Sequence, residues 1–580
     1  MKKYLALLLA VVMTLSLAAC GEKQTPVSNP TGSNTNDNHE EQDEFFIPEW
    51  NALDRSAVGE NGVVSSARYE ASKIGVEIMK AGGNAVDAAV ATAFAVGVAE
   101  PFSNGIGGGG FMTLHLADGE NIFIDFREYA PAAATDDMFV TASDEIDENA
   151  YTYGGKAVAI PGTVAGLTYI LENYGTMTRE EVIRPAVELA QNGYIVNPLT
   201  KYALDDGYEV LNSNNHARAI YTKDGMPYEL GEYVKNPEIA VALEAIIEGG
   251  ADAFYKGEIG EALVKAVTDA GGIMTMEDLA NYNINVSEPV KGTYRGYQIY
   301  SSPLPSSGGT HVIQILNILE NFDLSDTTPY SVKHSHLLAE AEKIAYQDRA
   351  AFMGDPNYVD VPVNGLVSKD YAKVLAEKID MTKAQTYTAD DPWKFEGNDT
   401  QHLSVADKDG NMVGMTMSLN YYWGSHVYVD NYGFFLNNHM NDFDPAPGGP
   451  NSIAAGKKPL SSMSPTVVLK EDGSPFMVLG CPGGSSIFPQ VAQIIVDVVD
   501  FGLDMQEAVN LPRIIDNTNN VLRYTDETLG ADVVAELESM GHETSCAYDQ
   551  FGYIQAVMYG EDGLLHGAAD PYADGKAVGY

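Results

Sequence analysis

The sequence predicts an α+β fold, from three patterns. Helical apolar periodicity fills most of the stretch between Pro161 and Ala384, with apolar residues three and four apart. After Thr400 the period changes. "TQHLSVAD", "NMVGMTMSLNYYW", "PTVVLKED" and "PFMVLGCPGG" are short strand-like runs with turns such as Asp409-Gly410 between them. The run from Ala85 to Ala99 is nearly all small and apolar, which suits a helix buried on every side.

The chain opens with "MKKYLALLLAVVMTLSLAAC". Two lysines precede an apolar run from Tyr4 to Leu17 and then small residues. This is the layout of a secretory signal, too short and wrongly flanked for a stable membrane span. "LAAC", Leu17 to Cys20, looks like a bacterial lipobox. That likeness implies a signal peptide over residues 1–19 and diacylglycerol on the Cys20 sulfur; the alternative is a plain signal with a chance cysteine. Acyl chains bury methylenes at about 0.8 kcal/mol each, which anchors without spanning. Residues 20–50 then read as the lipidated cysteine and a Pro/Ser/Asn-rich tether. The expected location is outside the cytoplasm, anchored to a bacterial cell membrane.

Further elements follow in order. "SARYEASKIGVEIMKAGGNAVDAAVATAFAVGVAEP" gives two helices broken at Gly82-Gly83. "GIGGGGFMTLHL" is a glycine-rich turn into a strand, and "NIFIDFREYAP" is a second strand stopped by proline. "TREEVIRPAVELAQNG" and "SVKHSHLLAEAEKIAYQDRAAF" read as helices with charged outer faces. "TKAQTYTADDPWKFEGND" is polar and reads as an exposed lead-in to Thr400. Beyond the later strands, "SSIFPQVAQIIVDVVDFG" and "DMQEAVNLP" return to helix.

Composition narrows the function. With 580 residues, 45% of them hydrophobic, the chain can bury a sizeable core. Lys plus Arg number 34 against 81 Asp plus Glu, a formal net charge of −47. Such a surface repels phosphate backbones, so no nucleic-acid partner is expected. The three cysteines, Cys20, Cys481 and Cys546, form no CxxC pair, so neither a metal nor a redox motif is expected. A Cys481–Cys546 disulfide is open on the count alone.

Chemistry concentrates around Thr400. By the period of two, Thr400, His402 and Ser404 share one face of a strand. After the turn at "DKDGN", Thr416, Ser418 and Asn420 alternate onto one face of the return strand. Hydroxyls facing each other across strands are also common stabilisers, so this pattern alone does not make Thr400 a nucleophile. A threonine hydroxyl needs a base, and no Ser/His/Asp set is legible here. Its own α-amino group would serve once the Asp399–Thr400 peptide is cut, because that group titrates at roughly 7.7–8.0.

"TQHLSVADKDGNMVGMTMSLN" is similar to the processing-site segment of γ-glutamyltransferases (γ-glutamyl transpeptidases). "AGGNAVDAAVA", "GIGGGGFM", "DFRE", "PLSSMSPT" and "GCPGGSSI" resemble further motifs of that family, in its order along the chain. The resemblance implies an N-terminal-nucleophile hydrolase fold, a four-layer αββα sandwich. It implies a proenzyme cut between Asp399 and Thr400 into a large subunit (51–399) and a small one (400–580), the two forming one heterodimeric catalytic unit.

Carried over residue by residue, Thr400 is the nucleophile. Ser418 supplies a hydroxyl beside its freed amine, where relatives often have threonine. Gly483 and Gly484 present backbone N–H groups to the oxyanion. Arg127, Ser461 and Ser462 would hold the glutamyl α-carboxylate, and Asn420 and Asp442 the α-ammonium; without the resemblance Arg127 reads as a surface or structural ion-pair residue. His439 stands where relatives usually carry Gln or Glu; a protonated imidazole there would repel the ammonium, while a neutral one could accept a hydrogen bond from it. Only Ser452 to Gly456 separate "PGGPN" from "KKPLSS", where many relatives carry a longer lid, so an open site is expected. Implied donors are glutathione and other γ-glutamyl compounds, with water, amino acids or dipeptides as acceptors and no cofactor. The rivals are a glutaryl or cephalosporin acylase of similar fold, and a surface binding lipoprotein that is never processed.

Overall fold

The computed structural model describes residues 55–387, 399–517, 521–547 and 551–580, with Asp399 and Thr400 described through their backbone. The signal segment, Cys20, the tether and most of the polar lead-in lie outside the described residues.

Two seven-stranded sheets form the centre. In chain order their strands are β1 (Ala57–Gly59), β2 (Gly62–Ser66), β3 (Gly109–His115), β4 (Asn121–Phe126), β5 (Asn285–Ser287), β6 (Val290–Tyr294), β7 (Tyr297–Ser301), β8 (Asp399–Asp407), β9 (Met412–Asn420), β10 (Thr466–Leu469), β11 (Pro475–Gly480), β12 (Gln555–Tyr559), β13 (Leu565–Ala569) and β14 (Val578–Gly579). One sheet runs β1-β13-β12-β11-β10-β7-β6 and the other β14-β2-β8-β9-β3-β4-β5. Neighbouring strands are antiparallel, as in the pair β8 and β9. Both sheets therefore mix strands from before and after Thr400.

Helices cover the outer faces, giving the expected αββα order. Against the second sheet lie α1 (Tyr69–Lys80), α2 (Ala85–Ala99), α3 (Thr163–Tyr174) and α4 (Arg179–Asn192), whose apolar side chains form one core with Val64, Met112 and Val405. Against the first lie α5 (Gly308–Leu319), α6 (Val332–Phe352) and α7 (Ile487–Val499), packed on Val468, Met477 and Leu479. A third core sits between the sheets, with Val63, Ala406 and Met412 from one facing Val467, Val478 and Val557 from the other. As its composition requires, α2 is buried nearly all round. Its start is set by Asn84, whose side chain accepts from Val86 and Asp87 while Asp87 reaches back to the Asn84 N–H. Among the described residues no helix is long and apolar enough to cross a membrane.

One expectation needs correction and two are refined. The Pro161–Ala384 stretch also supplies β5, β6 and β7. The face of α6 that was expected to be charged and exposed is buried, including Glu340, Glu342 and Lys343. Cys481 and Cys546 do not form a disulfide; their sulfurs lie against the carbonyls of Ile487 and Thr525 respectively.

Burial also fixes a pH response. The His334 imidazole is enclosed, and burial pushes it down to about 3. Folded, it stays neutral; unfolded, it takes a proton near 6.5. Its contribution is thus complete above about pH 6.5 and is lost as the pH falls towards the folded value. Relative to a His334→Phe variant, wild type should lose on the order of 2 kcal/mol between pH 7 and pH 5. Urea unfolding at the two pH values measures this, and an unchanged difference would contradict a neutral buried His334.

Candidate active site

The site begins at a ladder irregularity. Asp399 pairs with Asn420 and Gln401 with Met417, so one residue, Thr400, faces two, Ser418 and Leu419. Such a bulge bends the strand and re-aims side chains. Asn420 leaves the strand in the left-handed region, φ 80°, and its N–H donates to Ser418 Oγ at 2.7 Å. The Asn420 amide lies 3.4 Å from the Asn438 carbonyl. Next to this hairpin the "GIGGGG" run allows close approach: a Cβ on Gly108 would collide with the Ser418 carbonyl.

The "DFRE" and "PLSS" motifs meet here. Asp125 accepts from the Arg127 N–H at 2.9 Å and from Lys458 Nζ at 2.7 Å. The Arg127 guanidinium is fully buried and donates to the carbonyls of Pro459 and Leu460 at 3.4 and 3.3 Å. Its Nη2 pairs with Asp442, a residue expected to bind the opposite end of the ligand. Glu128 lies 3.5 Å from Arg127 Nη1 and 2.9 Å from His439 Nδ1. Burial alone would raise the Glu128 carboxyl, but His439 and Arg127 outweigh it and hold it below the usual glutamate range. His439 Nε2 stands 3.9 Å from Asp442. Its imidazole thus faces two carboxylates, Glu128 and Asp442.

Ser461 and Ser462 are nearly buried. Ser462 Oγ accepts from Arg349 Nη2 at 2.9 Å, and Ser461 Oγ from the Met463 N–H at 3.2 Å. Gly483 and Gly484 both have positive φ, 122° and 54°, a conformation that glycine adopts without strain. Ser486 Oγ donates to the Gly483 carbonyl at 2.7 Å and Tyr346 OH to the Ser485 carbonyl at 2.9 Å, pinning this loop.

A small cleft unites these pieces, lined by Ser418, Asn420, His439, Asp442, Ser461, Ser462 and Gly484, with Leu460, Met463 and Ile487 as its apolar wall. Arg127 sits behind Asp442, and Gly483 is set back from the lining. The short connection after Asp442 is braced by Asn451, which donates to the Asp442 carbonyl at 2.7 Å and accepts from the Leu460 N–H at 3.1 Å. Sequence reasoning assigned no role to Glu128, Arg349, Tyr346 or Asn451. Glu128 lies inside "DFRE" and Asn451 inside "PGGPN", while Tyr346 and Arg349 lie on the helical run of α6, where nothing local marks them.

One other cluster has metal-ligand chemistry. His336, Glu340 and His542 bring ligand atoms within 4.8 Å of one another. The two imidazoles already meet at 2.8 Å, His336 Nε2 lies 2.9 Å from the Asp380 carbonyl, and Lys343 occupies Glu340. Two nitrogens on a tetrahedral zinc stand about 3.3 Å apart, so this is a hydrogen-bonded knot. It fastens residues 380–387 to α6, helped by Tyr387 OH on Glu340 at 2.9 Å.

A family model described as Gamma-glutamyltranspeptidase matches residues 71–580. The "Glutathione hydrolase proenzyme" of Escherichia coli (strain K12) is 42% identical over 534 residues, 90% of this chain and 92% of that protein. The crystal structure of cephalosporin acylase from Bacillus halodurans is similar with a TM-score of 0.83 at 27% identity, covering 96% of this chain and 99% of that one. That of Helicobacter pylori gamma-glutamyltranspeptidase gives a TM-score of 0.52 at 42% identity, covering 55% of this chain and 91% of that chain.

Proposed function

The chain belongs to the gamma-glutamyltranspeptidase family, and from that premise we propose that it is made as a proenzyme, cuts itself between Asp399 and Thr400, and then moves γ-glutamyl groups from Thr400 to water or to amines. One observation carries this reading. A single cleft gathers Ser418, Asn420, His439, Asp442, Ser461, Ser462 and Gly484, and Ser418 is one of the two residues opposite Thr400 in the ladder.

In the first reaction Thr400 Oγ attacks the Asp399 carbonyl, the peptide nitrogen becomes a free α-amine, and water resolves the ester. In the second, Thr400 Oγ attacks the γ-carbonyl of glutathione or a similar donor. The α-amine takes the hydroxyl proton and passes it to the departing amine. The oxyanion receives hydrogen bonds from the Gly483 and Gly484 N–H groups. The γ-glutamyl ester then goes to water, giving glutamate, or to an amino acid or peptide amine. Asp442 and Asn420 take the donor's α-ammonium, and Arg127, Ser461 and Ser462 its α-carboxylate. The short, braced connection from Asp442 to Leu460 leaves the cleft without a long lid, which favours bulky γ-glutamyl donors.

The acylase reading has the Bacillus halodurans likeness in its favour. Against it stands the carboxylate of Asp442 in the cleft, which a ligand lacking an ammonium would desolvate without giving it a further partner beyond Arg127. Lipid anchoring through Cys20, and with it a place outside the cytoplasm, completes the proposal. A Cys20→Ala variant should move from the membrane fraction to the medium.

The test is a denaturing gel of freshly purified protein with N-terminal sequencing of the smaller band. The expected sequence is Thr-Gln-His-Leu-Ser. A lasting single full-length band would overturn the proposal.

A further inference from the structure

The two sheets are joined beside the nucleophile by one imidazole. His402 lies on β8, two residues after Thr400, and faces the other sheet. Its Nδ1 is 2.8 Å from Thr416 Oγ1 and its Nε2 is 3.0 Å from Ser404 Oγ. Ser404 donates its own proton to the Gln555 carbonyl at 3.0 Å. Ser404 Oγ must therefore accept from His402, which places the ring proton on Nε2 and leaves Nδ1 to accept from Thr416. A directed chain results: Thr416 to His402 to Ser404 to Gln555. It ends on β12, on the residue that pairs with Gly480 of β11.

The ring also rests on Gly480 itself. A Cβ at Gly480 would stand 2.6 Å from Nδ1 and 2.8 Å from Nε2, and closer still to Cε1. Near-equal distances to three ring atoms mean that Gly480 lies over the face of the imidazole. Only Cys481 and Pro482 separate Gly480 from Gly483, and the far end of that loop is pinned by Ser486 and Tyr346. The height of the imidazole over β8 therefore sets where the loop begins.

We infer that His402 is a positioning residue: a neutral spacer that fixes the Gly483–Gly484 loop relative to the nucleophile's strand, with Gly480 as its obligatory contact. This rests on Gly483 and Gly484 being the oxyanion donors. The imidazole has the constancy the role needs, since burial pushes it down to about 3 and it stays uncharged at working pH.

The test is a double-variant cycle on the full chain: Gly480→Ala, His402→Ala and the pair together. The methyl that Gly480→Ala introduces must push β11 off the ring by about 1 Å to reach normal contact, and misplacement of that size can cost about a hundredfold. Gly480→Ala should lower kcat on a γ-glutamyl anilide about a hundredfold with little change in KM, and His402→Ala about tenfold. The pair should regain at least about tenfold over Gly480→Ala, because the methyl then fills the space the ring vacates. Recovery in the pair is what a general loss of packing would not produce. If Gly480→Ala stays uncut, the same comparison is read from the fraction of chain cleaved.

A pair no better than Gly480→Ala, or a Gly480→Ala enzyme with wild-type kcat, overturns the inference. If wild type itself releases no γ-glutamyl product, the underlying functional reading has failed instead.

Discussion

A Thr400→Ala chain is expected to remain a single full-length polypeptide and to lose turnover of a γ-glutamyl anilide by at least about 10⁴-fold, the scale on which removal of a covalent nucleophile is felt. The effect is large because one residue serves three times. In the proposed mechanism its hydroxyl attacks the peptide before it, attacks the donor afterwards, and is activated by the amine that the first attack releases. The adjacent His402 offers no replacement base: burial keeps its imidazole uncharged with its pKa down at about 3, and both its nitrogens are committed to hydroxyls. Thr400→Ser keeps the hydroxyl, so it should still cut and turn over, at reduced rates. Ser418→Ala should lie between, because Ser418 Oγ holds the Asn420 N–H that shapes the ladder shift. The gel and the anilide assay read all three variants. Cleavage of the alanine chain at its usual place would show that Thr400 is not the attacking group.

The parts of this site that sequence made legible are those within one local pattern. The β8–β9 hairpin follows from alternation and the Asp409-Gly410 turn, and the structure pairs His402 with Thr416 as that alternation requires. The nucleophile's role was not legible from pattern, since hydroxyls facing each other across strands serve structure just as well; it needed the resemblance. The strands β5 to β7 are hard to read inside a helical stretch because each is only three to five residues long and β5 is exposed along its whole length. Charged residues of α6 were placed in solvent because helix periodicity carries no information about a partner far away. Arg349 finds Ser307 and Ser462, and Glu342 finds Gln493. The proposed binding residues show this limit most. Arg127 and Asp442 are 315 positions apart, and nothing local in either motif says that they form an ion pair.

That pairing decides the second large prediction. Arg127 and Asp442, the residues proposed to take the donor's α-carboxylate and α-ammonium, neutralise each other in the structure. An α-amino acid group carries the two complementary charges on one carbon, so in the proposed pose its ammonium meets Asp442 while its carboxylate reaches Arg127, buried behind Asp442, only as Asp442 gives way. A glutaryl group presents no ammonium; it would have to bind with Asp442 desolvated and facing only its existing partners. Asp442→Asn should therefore do two things. It should raise KM for γ-glutamyl anilide steeply, because removing one partner of a largely buried charge pair costs about 2–5 kcal/mol, roughly thirtyfold or more. It should also erase most of the preference for γ-glutamyl over glutaryl anilide, since that preference is the ammonium contact itself. Arg127→Lys should not substitute: a single ammonium cannot reach Asp442, Glu128 and the Pro459 and Leu460 carbonyls together, as the planar fork does. The measurement is kcat and KM for both anilides with wild type, Asp442→Asn and Arg127→Lys. Equal rates for the two anilides with wild type would remove the ammonium clamp and leave acylase chemistry as the better description of the cleft. A preserved γ-glutamyl preference in Asp442→Asn would instead move the clamp to Asn420 and the carbonyl of Asn438 beside it.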